Sequence, residues 1–83
     1  RLIAEGRAQE GLWFARKALK RDASREDAYT ALMEAQVAAG QRAAALDTYF
    51  SCRRYLTEEL GIDPSLETMA LYRGIIEAEE GLA

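Results

Sequence analysis

The sequence predicts an all-α fold of antiparallel helix hairpins, and three observations predict it. Alanine, leucine, glutamate, lysine and arginine, the strong helix formers, fill the chain with hardly a β-branched run among them. Apolar residues recur at three- and four-residue steps, which draws stripes along helices and not alternating strand faces. Breaks at Gly6, Gly11, Gly40, Gly61, Pro64, Gly74 and Gly81 cut the chain into pieces of helix length. About four helices are expected, over residues 9–21, 25–39, 42–60 and 64–80.

In the first helix Leu12, Ala15, Ala18 and Leu19 trace one face. Arg16, Lys17, Lys20 and Arg21 lie outward and toward the C-terminal end, where positive charge suits the helix dipole. Trp13 and Phe14 are neighbours, so they cannot both face helix two; Trp13 is expected to pack on a preceding segment or a second copy. The run from Asp22 to Glu26 reads as a turn, with Ser24 as N-cap of the second helix. That helix turns Ala28, Tyr29, Leu32, Ala35 and Gln36 inward and ends at Gly40.

Helix three carries its stripe at Ala45, Leu46, Tyr49, Cys52, Leu56 and Leu60. Its stop is written in detail. With Leu60 as C-cap, Gly61 takes the position where a positive φ is free only for glycine, and Ile62 folds back onto Leu56 in a Schellman-type contact. Asp63 or Ser65 then caps the fourth helix, with Pro64 admissible as its first residue. Leu66, Met69, Tyr72, Ile75 and Ile76 are expected to face inward there. Leu60, Gly61, Ile62, Asp63, Pro64 and Ser65 thus form a structural joint.

Composition narrows the function. The chain has 83 residues, enough for one small domain that hides about 60% of its unfolded surface. Apolar residues make up 49% and charged residues 30%, a globular balance with neither the charge excess of disorder nor a membrane-spanning run of roughly 18 apolar residues. No signal-peptide pattern opens the chain, and the single cysteine, which excludes an internal disulfide, makes the cytoplasm the expected compartment. It begins at Arg1 in what reads as mid-helix, and the expectation is a piece of a longer protein. One cysteine and no histidine exclude an internal disulfide and the usual zinc sets, and no cofactor is expected. A net charge of −3 argues against direct nucleic-acid binding by this segment. Without histidine a nucleophile-base pair would need Ser, Lys or carboxylate chemistry, for which no motif is present, and Leu12 and Trp13 stand where a phosphate loop needs Lys and Ser or Thr. No enzymatic activity is expected.

Shifting the chain by 34 residues pairs Ala4 with Ala38, Gly6 with Gly40 and Leu12 with Leu46. Thirty-four is the tetratricopeptide period, and Tyr29, Leu32, Ala45 and Tyr49 fit its two-helix pattern. Met33 replaces its small residue, Gln36 its tyrosine, and Thr57 its proline, so helix three is expected to run on past the usual stop. The predicted architecture is a tetratricopeptide-like hairpin with an extended second helix. By the repeat register Asp27, Thr30, Glu34, Val37 and Ala38 face its groove, with no basic residue to grip a peptide carboxylate.

Several of these residues together resemble a specific family. Asp27, Ala28 and Tyr29 with Leu32 and Met33, Gly40 with Ala45, Leu46 and Tyr49, the run LTEELGIDPS over 56–65, then Glu67, Thr68, Leu71 and Tyr72 look like the bacterial transcriptional activator domain of SARP-type regulators. The resemblance implies a helical module that supports activation through protein contacts, as a homodimer or with the transcription machinery. DNA would be read by a winged-helix domain upstream, and this chain would be the C-terminal part of the module. The alternative is a generic tetratricopeptide-like peptide-binding scaffold unrelated to transcription.

Candidate contact residues are Trp13, Arg16, Lys17 and Lys20 on helix one, and Glu58 and Glu59 at the end of helix three. For each, a solvated surface role competes with a partner-facing one. The basic cluster alternatively covers a helix face with its aliphatic stems. Glu58 and Glu59 oppose the dipole of their own helix, and Arg54 one turn earlier is placed to pair with Glu58. Cys52 sits at a small-residue position and reads as a buried, inert thiol.

Overall fold

A computed structural model describes the backbone of residues 2–82 and the side chains of residues 6–78. The chain is all-α: α1 (Leu2–Arg21), α2 (Glu26–Ala38), α3 (Arg42–Tyr55) continued by a π-helical turn (Leu56–Leu60), and α4 (Leu66–Leu82). α1 and α2 form one hairpin, α2 and α3 a second, and α4 packs on both α2 and α3. This is the tetratricopeptide-like arrangement that the repeat register predicts.

The stripes explain the order of packing. Leu12 and Ala15 of α1 meet Leu32 and Ala35 of α2, with Leu19 and Ala39 at the margins. Met33, Ala45, Tyr49 and Ile75 join α2, α3 and α4, and Met33 and Ala45 are fully hidden. Met33 occupies a repeat position that normally takes a small side chain. Here its thioether chain fills the space between three helices, a role its flexibility suits. Tyr29, Cys52 and Leu56 close the end of the core beside the joint. Gln36 is buried too, and its Oε1 accepts a 2.7 Å hydrogen bond from the Thr48 hydroxyl, so the α2–α3 seam holds a satisfied polar pair.

Helix ends differ from several expectations. α1 starts at Leu2 and not near Gln9, because Gly6 and Gly11 are helical and do not break it. Gly11 has a packing reason to be glycine: a Cβ there would lie 3.2 Å from the Ala35 Cβ, tighter than ordinary contact. Pairing Gly6 with Gly40 therefore fails as a structural equivalence, since Gly40 sits at φ 78° in a turn. Ser24 does not cap α2. Its N–H and hydroxyl both donate to Asp22 Oδ1, at 3.0 and 2.5 Å, and Arg25 takes the cap position with no side-chain bond. Glu26 and Asp27 supply negative charge to that first turn instead.

The joint holds in outline and differs in detail. Gly61 has φ 68° and ψ 28°, the left-handed conformation expected of it. The Gly61 N–H donates to Thr57 O at 3.2 Å and the Ile62 N–H to Leu56 O at 3.0 Å. Both bonds reach one residue further back than a Schellman motif, because the last turn has widened from α to π. Ile62 therefore returns to Leu56 through its backbone, while its side chain stays 51% exposed. Pro64 is buried in the connection and precedes the cap, so it is not a helical residue. Ser65, not Asp63, caps α4, its Oγ accepting the Thr68 N–H at 3.2 Å. Leu66 was expected inside and is 81% exposed; Thr68, two residues later, is buried in its place. Thr68, Leu71, Tyr72 and Ile75 make the inward stripe at three- and four-residue steps, and that periodicity puts Leu66 on the outer side.

Thr68 is buried because it has a partner on α2. Glu26 Oε2 accepts a 2.7 Å bond from the Ser65 N–H and another from the Thr68 hydroxyl. One carboxylate at the start of α2 thereby holds the start of α4, across about forty residues of chain. Partial burial pushes the Glu26 carboxyl up, and the bonds from Thr68 and Ser65 outweigh it, leaving the group below its ordinary value.

Three substitutions test the joint and α4. Gly61→Ala forces a Cβ into the left-handed region and should lower unfolding free energy by about 1–2 kcal/mol, whereas Gly74→Ala, in open space on α4, should raise it by about 0.5–1 kcal/mol; urea titrations read both. Because the Glu26 carboxyl is depressed on folding, its contribution is complete above the ordinary glutamate range, about pH 4.3, and is lost as pH falls through the folded value. Glu26→Gln should therefore be less stable than the parent at neutral pH, with the gap closing on acidification; a gap independent of pH would remove the carboxylate from the joint.

Candidate functional site

Three surface features combine unpartnered side chains with a concave or open shape. The first is the outer face of α1. Gln9, Leu12, Trp13, Arg16, Lys17 and Lys20 recur at three- and four-residue steps and line a shallow depression of about 750 Å³. Trp13 is 56% and Phe14 61% exposed, their rings edge to face at 4.8 Å. Neither faces α2. The Lys17 Nζ lies 4.7 Å from the Trp13 ring centroid, a cation–π contact that holds the indole in place. Four residues named from sequence, Trp13, Arg16, Lys17 and Lys20, are thus brought together as one aromatic and basic face.

The second feature is a groove of about 490 Å³ between α2 and α4, lined by Glu26, Asp27, Thr30 and Glu34 on one wall and by Ser65, Glu67, Thr68 and Leu71 on the other. No lysine or arginine lines it. Of the groove residues read from the repeat register, Asp27, Thr30 and Glu34 are in place. Val37 instead packs against the Met33 cluster and Ala38 is outside the groove. Arg25 at the edge grips Asp27, Nε to Oδ1 at 3.2 Å and Nη2 to Oδ2 at 2.7 Å. That grip holds the Asp27 carboxyl below its usual range. Glu26 is engaged with α4, so Glu34 and Glu67 are the exposed carboxylates of the groove without an ion-pair partner among the described residues.

Glu58 and Glu59 lie elsewhere. They sit on the π turn and, with Tyr29, Ser51, Arg54 and Tyr55, border a smaller pocket of about 190 Å³. The expected Arg54–Glu58 ion pair does not form; among the described residues the pair within contact distance is Arg25–Asp27. Widening to a π turn shifts the register on which a one-turn-back pairing depends. Around the joint Leu60, Ile62 and Leu66 are all exposed. Cys52 is fully buried, and burial, with the Glu26 charge second, pushes its thiol up to about 11, so it is protonated and unreactive at neutral pH.

Sequence reasoning missed Glu26 and gave Thr68 and Glu67 no role beyond the family resemblance. Local spacing cannot find the first two, because their partnership is made only when α4 folds back on α2. Among the described residues no group of histidine, cysteine, aspartate and glutamate could hold a metal ion, and no helix is long and apolar enough to cross a membrane. The α1 face presents aromatic and basic side chains, and the α2–α4 groove presents carboxylates.

The family described as Bacterial transcriptional activator domain matches residues 1–76. The chain is also similar to Regulatory protein AfsR of Streptomyces griseus, 46% identical over 52 residues, which are 63% of this chain and 5% of AfsR. The match thus spans only a small part of that relative's length. No solved structure matches the chain significantly. With the family pattern running through both hairpins and most of α4, the chain belongs to the bacterial transcriptional activator domain family, a domain of transcription regulators.

Proposed function

We propose that this chain is the protein-interaction and self-association module of a bacterial transcription regulator, working in the cytoplasm beside a separate winged-helix domain that reads DNA. Family membership over residues 1–76 carries the reading. Three physical features support it. The net charge of −3 disfavours phosphate-backbone contact. Trp13 and Phe14, more than half exposed on one helix, are the side chains that association gains most by covering. Stacked helix hairpins leave their terminal faces uncovered, and neighbours normally cover them. In this reading Trp13, Arg16, Lys17 and Lys20 contact a protein partner, either a second copy or the transcription machinery. Glu58 and Glu59 present a separate acidic spot beside the joint.

Sedimentation of the full chain, alone and with duplex DNA at several salt concentrations, tests this. A weight-average mass that rises with protein concentration, and no DNA affinity, is expected. A strict monomer from micromolar to millimolar concentration, or DNA binding that weakens steeply with salt, would overturn it.

A further inference from the structure

The α1 face and the α2–α4 groove have complementary chemistry. On α1, Lys17 is held over the Trp13 ring, which leaves Arg16 and Lys20 as cations without an ion-pair partner among the described residues. In the groove, Asp27 is held by Arg25 and Glu26 by α4, which leaves Glu34 and Glu67 as the open carboxylates. Leu71 supplies an apolar patch beside them. Trp13 and Lys20, like Asp27 and Glu34, are seven positions apart on one helix, so each stripe extends over about 10.5 Å. Among the described residues of one molecule α1 makes no contact with α4, so its basic face does not reach the α4 wall of the groove.

We propose that the acidic groove between α2 and α4 seats the basic, tryptophan-bearing face of α1 from a second copy of this chain. Arg16 and Lys20 of the incoming copy lie against Glu34 and Glu67, and its Trp13 ring covers Leu71. The contact is heterologous: face and groove are different surfaces, so each associated pair keeps one free groove and one free face. The stoichiometry can therefore grow beyond a dimer unless the rotation between copies closes a ring. Opposite charge steers the encounter, and the attraction weakens as salt screens it. The inference rests on the self-association reading above and specifies the surfaces that carry it.

The test uses two variants of the full chain in sedimentation, Glu34→Lys/Glu67→Lys and Arg16→Glu/Lys20→Glu. All four side chains are exposed, so thermal midpoints close to the parent's are expected and serve as the folding control. Parent association should weaken in high salt, and each variant alone should associate at least about tenfold more weakly, the loss expected when like charges face each other in an interface. Mixing the two variants should restore association, because the intact face of one meets the intact groove of the other. Trp13 is the single tryptophan, and its emission should move to shorter wavelength in the parent and in the mixture as the ring is covered. If the parent associates but both variants match it, or the mixture gains nothing over its components, this pairing is wrong while self-association stands. If the parent stays monomeric at every concentration, both fall together.

Discussion

One carboxylate decides where the last helix goes. Glu26 opens α2, and its Oε2 takes both the Ser65 N–H and the Thr68 hydroxyl at the start of α4. The left-handed turn at Gly61 reverses the chain after the π turn, yet a reversal alone sets no register. Glu26 supplies it by fixing the two helix starts beside each other, and with the starts level, Ile75 falls beside Met33, Ala45 and Tyr49. The groove between α2 and α4 exists only because those two helices are held side by side. Thr68 is buried, and its hydroxyl lies between Glu26 Oε2 and the Ser65 Oγ at 3.1 Å, so removing Glu26 would leave it only the longer, neutral contact.

The same joint separates what was legible in the sequence from what was not. Helix number, the inward stripes of α1 and α2, that of α3 as far as Leu56, and the left-handed glycine could be read, because each follows from local spacing or from the steric freedom of one residue. Leu60, placed on the α3 stripe, is instead 48% exposed, and the 34-residue register failed at Gly6. Ser24 misled: a serine before a helix has a second option when an aspartate two residues earlier can accept its hydroxyl, and Asp22 takes it. Gly6 and Gly11 misled because glycine breaks a helix only where the chain needs a positive φ, and α1 uses Gly11 for close approach to Ala35. Leu66 misled because hydrophobicity outweighed register, and Thr68 was overlooked for the same reason. The π turn has no sequence marker that spacing rules recognise.

For the candidate site the balance is similar. Trp13, Arg16, Lys17 and Lys20 could be collected from one sequence because they share a helix face, and the structure places them together. Glu58 and Glu59 were singled out because they oppose the dipole of their own helix, and they lie by another pocket. The groove carboxylates were half visible: Asp27 and Glu34 follow from the repeat register, whereas Glu67 comes from a helix whose placement depends on Glu26. Membership of the bacterial transcriptional activator domain family was legible because the residues that resemble it, at helix faces and at the joint, were in view in the sequence.

The dependence of the whole arrangement on the Glu26–Thr68 contact can be measured directly by a double-mutant cycle on unfolding free energy, with Glu26→Ala, Thr68→Val and the double variant at neutral pH. A coupling of about 1 kcal/mol or more, the range of hydrogen bonds to charged groups, is the expected result, shrinking when the cycle is repeated below the ordinary carboxylate range. Additive losses, within about 0.3–0.5 kcal/mol, would mean that α4 is placed by its apolar stripe alone and that Glu26 does not set the joint.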